Sequence, residues 1–296
     1  MLIISFCHLL KGLLRFVAQN PKKCHDQAIV FVRSCNDIET MVTYLRRTTN
    51  SCFGPDFDSS IIQGLHANMS GKQDILHRVA SRKIRVLVPT LASCAAGLDF
   101  PDIRLIFILT IPDSIEQLWQ ALGRGGRDGN RAKIVLYSSL DDNVKAMGNS
   151  KHPFSTRIML RTFGGSKSCR LMEILNYIDG SNSSECGHCD LCLKPQAWAL
   201  LDVSDGVHEF LQSIGPDSAT DYRLIRSTPT IKHEVIQATL ELGLISVHRV
   251  ENAINRYSIS VSTDDKTQSL FLSSDQVLIY QARAMELPDQ KRTRTV

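Results

Sequence analysis

The sequence contains no Gly-Lys-Ser or Gly-Lys-Thr step and no Asp-Glu dipeptide. A phosphoryl-transfer motor needs a glycine-rich loop ending in that step to cradle phosphates, and an acidic pair to hold magnesium and the attacking water. Gly71-Lys72 is followed by Gln73, and Gly165-Ser-Lys-Ser168 breaks the Gly-Lys step. The chain is therefore not expected to hydrolyse ATP alone. Long apolar runs are missing too: Leu2 to Leu10 is too short to cross a bilayer and lacks the basic start and cleavage site of a secretory signal. No membrane partner is expected. Charge of one sign is also lacking, with 34 basic against 30 acidic residues and a net charge of +4. That balance is compatible with a nucleic-acid partner without demonstrating one.

What is present is ample for folding. With 296 residues and 43% hydrophobic content, the chain can bury a proper core in two or three domains. Residues 1–24 form an apolar lead that can pack as a helix. Then Ala28 to Val32 has the continuous branched apolar character of a strand buried on both faces. Asn36 and Glu39 fall at N-cap and N3 positions, with Ile38, Met41, Val42 and Leu45 at helical spacing after them. Ile61 to His66 reads as a strand, Ser70 with Gln73 as a capping box, and Ile75, Leu76 and Val79 as a buried stripe. Ile84 to Val88, Leu105 to Leu109 and Ala132 to Tyr137 complete the strands. This alternation predicts a parallel, doubly wound α/β sheet, in which ligands sit at the carboxyl ends of strands.

The most informative stretch is Gln120 to Asn130, Q-A-L-G-R-G-G-R-D-G-N. Ser114 with Gln117 is a capping box, so a helix starts there, buries Leu118 and Leu122, and gives out at Gly123. Four glycines let the backbone approach a ligand closely, while Arg124 and Arg127 bring permanently charged, forked donors toward one point. The pattern suits phosphate binding. A solvated Gly-Arg turn, or an RGG-like segment that holds RNA loosely, would look the same in isolation.

The order of elements around that stretch separates these readings. Q-x-x-G-R-x-G-R-D-G resembles motif VI of the RecQ family of DNA helicases. Ile29-Val-Phe-Val-Arg-Ser-Cys-Asn36 resembles motif IV, Gly64-Leu-His-Ala-Asn-Met69 falls where the family has Tyr-His-Ala-Gly, and Val86 through Pro101 resembles motif V. Motif V departs from the pattern: there is one extra residue between Thr90 and Pro101, and Ser93-Cys-Ala-Ala96 replaces Ala-Phe-Gly-Met. In the family this loop couples nucleotide to DNA. The resemblance implies the second of two RecA-like lobes, with Gln120, Arg124 and Arg127 at the triphosphate and Gly97 and Asp99 near the ribose and lobe interface. It puts Ser34 and Thr90 near the DNA backbone, although both would serve equally as strand-end caps. ATP and Mg2+ would then bind only together with a first RecA-like lobe, which these residues do not encode. Single-stranded or forked DNA is the implied partner, 3′-to-5′ unwinding the implied activity, and DNA recombination and repair the implied process.

Nine cysteines are present, and four cluster late: Cys169, sixteen residues, then Cys186-Gly-His-Cys-Asp-Leu-Cys192. A tetrahedral thiolate site needs knuckle turns plus one remote ligand, and Cys169, Cys186, Cys189 and Cys192 supply both. A structural Zn2+ in a reducing compartment is the expectation. Iron-sulfur chemistry is the rival, but its cysteine run normally continues to Cys-Pro; His188 is the one substitute ligand. Cys169-Arg170 through Tyr177 also resembles the RecQ zinc-binding subdomain, with Leu171 replacing a second Arg. The other cysteines read as reduced thiols. The location is nuclear if the source is eukaryotic and cytoplasmic otherwise, leaving the sequons at Asn68 and Asn182 unused.

Beyond Pro195, Thr230 to Leu242 reads as a helix ended by Gly243, followed by strands at 244–250 and 257–261 separated by an Asn252 to Asn255 turn. A winged helix and a plain small α+β domain both fit. The helix bears Lys232 and His233 but also Glu234 and Glu241, so it is not a basic recognition helix. The Lys291-Arg-Thr-Arg294 tail is a solvated terminus or a phosphate contact. The expected organisation is an apolar lead (1–24), a RecA-like lobe (25–147), a small helical zinc-binding module (148–195) and a winged-helix-like α+β domain with tail (196–296).

Overall fold

The computed structural model describes residues 13, 26–66, 69–96, 100, 103–137, 139–164, 168–181, 184–193, 198–214, 220–228, 231–251, 257–263 and 278–282. The chain divides into two compact units, Ile4–Thr156 and Arg157–Val296 with Met1–Ile3. Among the described residues no helix is long and apolar enough to cross a membrane.

The first unit is built on five parallel strands, β1 (Gln27–Phe31), β2 (Ile62–Leu65), β3 (Val86–Pro89), β4 (Ile103–Ile108) and β5 (Lys133–Leu136), in the spatial order β2-β3-β1-β4-β5. The central strand β1 is buried along its whole length, which is why its sequence is a continuous apolar run instead of an alternation. Its one polar member, Gln27, is satisfied by donating from Nε2 to Val79 O (2.8 Å) and Ile84 O (2.7 Å). The edge strand β5 is the most exposed, with Lys133 and Ile134 facing solvent. Helices α1 (Cys35–Phe53), α2 (Lys72–Ala80), α3 (Ile115–Leu122) and α4 (Leu140–Asn149) link or follow the strands. This is the α/β lobe expected from the alternation. Of the apolar lead only Leu13 is described; it is buried in the cluster with Ala28, Val30, Ile38 and Leu45.

Two helix starts differ from the sequence expectation. The cap of α1 is Ser34, not Asn36: Asp37 N–H donates to Ser34 Oγ (3.3 Å), and Ser34 N–H donates back to Asp37 Oδ2 (2.9 Å). Both candidates have an acidic residue three positions on, and the earlier one wins because β1 ends at Phe31 and the chain turns at once. Ser70 forms no capping box. Gly71, at φ 76° and ψ 15°, occupies the cap position of α2 and displaces Ser70 outward by one residue. Helix α1 lies tight on β2, since a Cβ at Gly64 would collide with Ile38 Cγ2.

The second unit takes in most of α5 (Pro153–Gly164), then α6 (Arg170–Asp179) and the short α7 (Asp190–Leu193). A two-stranded antiparallel pair, β6 (Trp198–Asp202) with β10 (Leu278–Ala282), follows the cysteine segment. Between them run α8 (Ser204–Ile214), β7 (Thr220–Asp221), α9 (Tyr222–Ser227), α10 (His233–Leu242), β8 (Ile245–Glu251) and β9 (Tyr257–Thr263). The last two strands form a hairpin in a three-stranded sheet of order β7-β9-β8. Helix, strand, two helices and a hairpin follow one another in this order, a small α+β unit. The Asn252 to Asn255 turn lies outside the described residues. Gly206 lets α8 approach α10, where a Cβ would come within 2.7 Å of Val235 Cγ2, and Gly243 ends α10 in the left-handed region at φ 72°.

Candidate nucleotide edge and metal centre

Helix α3 starts as the sequence indicates, with Gln117 N–H donating to Ser114 Oγ (3.2 Å), while the Gln117 side chain accepts from Asp113 N–H (2.8 Å). It buries Ile115, Leu118 and Ala121 and ends at Gly123. The loop that follows is held against β4. Gly126 N–H donates to Ile103 O (3.0 Å), and Gly129 N–H donates to Gly126 O (2.9 Å). A Cβ at Gly125 would lie 2.8 Å from Ala132 Cβ, and one at Gly126 would strike Asn130 O. At least two of the four glycines are thus required by the loop's own packing, independently of any ligand.

This loop joins α3 to the start of β5 and bonds to the first residue of β4, so it lies at the amino ends of the strands. The arginine pair therefore stands at the amino ends of the strands, away from the carboxyl ends that carry Ser34 and Thr90. Arg127 is exposed and donates from Nε to Gly123 O (3.0 Å), capping the end of α3; Arg124 is half-buried and Gln120, in the last turn of α3, is exposed. The loop thus carries both arginines at one rim of the sheet. Gly97 and Asp99 lie outside the described residues.

Ser34 and Thr90 are on the opposite rim. Val32 bridges Thr90 just beyond the carboxyl ends of β1 and β3, about 17 Å along the strands from the amino ends. Ser34 Oγ also donates to Asp37 Oδ2 (2.7 Å), and Thr90 Oγ1 shares a 2.7 Å hydrogen bond with Ser93 Oγ while only 8% exposed. A phosphate would compete with Asp37 for the Ser34 hydroxyl.

The cysteine cluster is in the second unit. Cys169 stands at the N-cap of α6, and its sulfur lies within 4.8 Å of those of Cys186, Cys189 and Cys192. Cys189 Sγ is 3.4 Å from Cys192 Sγ and 4.0 Å from Cys169 Sγ, against about 3.8 Å for a tetrahedron of metal–sulfur bonds near 2.3 Å. Knuckle amides point at the sulfurs: Cys186 N–H to Cys169 Sγ (3.3 Å), and His188 N–H (3.4 Å) and Cys189 N–H (3.3 Å) to Cys186 Sγ. Burial and the neighbouring thiol of Cys189 push Cys192 up to about 12, and burial also raises Cys186. At Cys169 burial acts upward too, but the amides of Cys186 and Met172 outweigh it and bring the thiol down to about 7. Four thiolates so close cannot all ionise without a cation among them, so the donor set fits a metal ion. His188 is exposed and outside the set.

A clamp missed by sequence reading holds the remote ligand. Arg170, 9% exposed, forks onto Asp190 (Nε–Oδ1 2.6 Å, Nη2–Oδ2 2.8 Å), donates to Thr162 O, and stacks over Phe163 at 5.4 Å. Burial raises the Asp190 carboxyl, but the Arg170 hydrogen bond and charge overcome this and hold it below its ordinary value. Arg170 follows Cys169 and Asp190 follows Cys189, so the fork ties two ligands' neighbours together. The adjacent Cys-Arg and Cys-Asp dipeptides were the available signal.

A parallel α/β lobe with two arginines at one rim is followed along the chain by a four-cysteine centre. Residues 8–129 match the family model described as Helicase conserved C-terminal domain. The chain is 26% identical over 207 residues to the ATP-dependent DNA helicase RecQ of Pasteurella multocida, covering 66% of this chain and 30% of that protein. It is 25% identical over 218 residues to the RecQ-like DNA helicase BLM of Xenopus laevis (65% and 15%), and 25% over 197 residues to RecQ of Haemophilus influenzae (63% and 30%). Over the matched residues the chain is similar to the carboxy-terminal helicase portion of RecQ proteins. It spans less than a third of the length of these relatives.

Proposed function

We propose that this chain supplies the second motor lobe (25–147), zinc-binding module (148–195) and winged-helix-like domain (196–296) of a 3′-to-5′ DNA helicase acting in recombination and repair. Its process is nuclear if the source is eukaryotic. Arg124 and Arg127 stabilise charge on the transferring γ-phosphate, Gln120, Gly97 and Asp99 complete the nucleotide side, and Ser34 and Thr90 face the DNA backbone. The gathering of both arginines at the amino rim, opposite Ser34 and Thr90, is the observation that carries the reading: nucleotide and strand are engaged at separate rims of one rigid sheet. Cys169, Cys186, Cys189 and Cys192 hold a zinc ion, which with four protein ligands and no open position organises the fold and takes no part in chemistry.

Mg2+-ATP is bound productively only together with a first RecA-like lobe supplied from outside these 296 residues, because no Gly-Lys-Ser/Thr step lies within them. That same lack favours a second reading, a nucleic-acid-binding or regulatory module without a motor. Steady-state ATP hydrolysis by the purified chain, with and without single-stranded DNA, is expected at the buffer blank in both cases; turnover would overturn the proposal. Elemental analysis is expected to return one zinc per chain, and iron with acid-labile sulfide would overturn that assignment.

A further inference from the structure

Arg104, the second residue of β4, is absent from every motif discussed above. Its side chain is 15% exposed, and its guanidinium spans two carboxylates: Nη2 pairs with Asp128 Oδ2 and Nε lies 3.5 Å from Asp26 Oδ1. Nη1 donates to Ile103 O (3.3 Å), the same carbonyl that accepts from Gly126 N–H. Asp128 also accepts from Asn130 N–H (3.1 Å) and Asn130 Nδ2 (2.7 Å). The Arg104 hydrogen bond, with those of Asn130, holds the Asp128 carboxyl well below the usual carboxylate range, so it stays ionised and bound. The aspartate of the Arg-Asp-Gly step is therefore tied to β4 through Arg104.

We propose that Arg104 is a positioning residue for the arginine pair: by clamping Asp128 while its own backbone neighbour clamps Gly126, it fixes the loop that carries Arg124 and Arg127. This rests on the reading that those two arginines meet phosphates. Arg127 lies between the two clamped residues, Gly126 and Asp128, so its Cα is fixed on both sides. Its Nε bond to Gly123 O sets the direction of the side chain. A forked donor is needed at position 104, because a lysine presents a point charge and cannot hold Asp128 and Asp26 together. Pre-placing the loop removes the ordering cost that a phosphate ligand would otherwise have to meet.

The test uses the full chain with Arg104→Ala, Arg104→Lys and the charge-exchanged pair Arg104→Asp with Asp128→Arg. Amide exchange is followed at Gly126 and Gly129, with Ile29 and Val88 as internal references. The Nε–H signals of Arg124 and Arg127 are followed during titration with inorganic triphosphate. Arg104→Ala is expected to speed exchange at the two glycines by roughly tenfold and to weaken the triphosphate-induced shifts by a similar factor, with the references unchanged. Arg104→Lys is expected to fall between Ala and the parent, and the exchanged pair to recover part of both readouts, because it restores the bond to position 128 and leaves Asp26 without its partner. Unchanged exchange in Arg104→Ala, or looser glycines with undiminished triphosphate shifts, would overturn the positioning role. Should the parent's arginine signals ignore triphosphate, the phosphate reading fails separately, and the glycine exchange with its rescue by the exchanged pair decides the clamp.

Discussion

Replacing Glu241 by Gln should make this protein more stable at neutral pH. Glu241, near the end of α10, is 6% exposed; its Oε1 accepts from Gln237 Nε2 (2.6 Å) and packs on Gly164 so closely that a Cβ there would overlap it. Burial pushes the carboxyl from 4.5 up to about 8, and the Gln237 hydrogen bond and the charge of Arg161 only partly oppose this. Because the folded state holds this proton more tightly than the unfolded chain, the contribution to stability is full below pH 4.5. It is lost progressively as pH rises to about 8. Each pH unit in that window costs about 1.4 kcal/mol, so by pH 7 the loss is on the order of 3 kcal/mol. Glu241→Gln keeps the acceptor for Gln237 and removes the titration. The assay is urea unfolding from pH 5 to pH 8 in a Trp119→Phe background, which leaves Trp198 in β6 as the fluorophore of the unit containing Glu241. The variant is expected to match the parent near pH 5 and to exceed it increasingly toward pH 8. Parallel stability curves across the whole range would refute a buried, protonated carboxyl.

Gly64→Ala should destabilise the first unit by about 1–3 kcal/mol, read as a lower Tm, because the new methyl must displace Ile38 and lift α1 from β2. An unchanged Tm would show that α1 has slack. Arg170→Ala should weaken metal binding by about 10- to 100-fold in chelator competition, since it frees Asp190 and loosens both Cys169 and Cys189, while Asp190→Asn should produce a smaller loss in the same direction. Equal affinity in parent and Arg170→Ala would show that the knuckle organises itself.

Much of the lobe was legible because burial on both faces leaves a plain trace: the apolar runs at 28–32, 84–88 and 105–109 became β1, β3 and β4. Ser114, Gly123 and Gly243 were readable because each solves a local backbone problem, and the cysteine spacing was readable because a tetrahedron tolerates few spacings. What sequence could not supply was set by tertiary placement. Asn36 and Ser34 are equivalent caps until the end of β1 is fixed, and Ser70 loses to a glycine whose backbone sign is invisible in a string. Glu241, counted in the sequence only as one of the charges of its helix, is buried against Gly164. The bond that ties Gly126 to the start of β4 and the Arg104–Asp128 pair, which joins residues 24 apart, leave no local signal.

The central claim is that Arg124 and Arg127 act on a nucleotide held by another lobe. It is tested most directly by joining this chain to a first RecA-like lobe of a RecQ relative and measuring DNA-stimulated ATP hydrolysis for the parent and for Arg127→Ala. The account predicts turnover in the joined parent and a loss of about 10³-fold or more in the variant. Equal turnover in the two would contradict it.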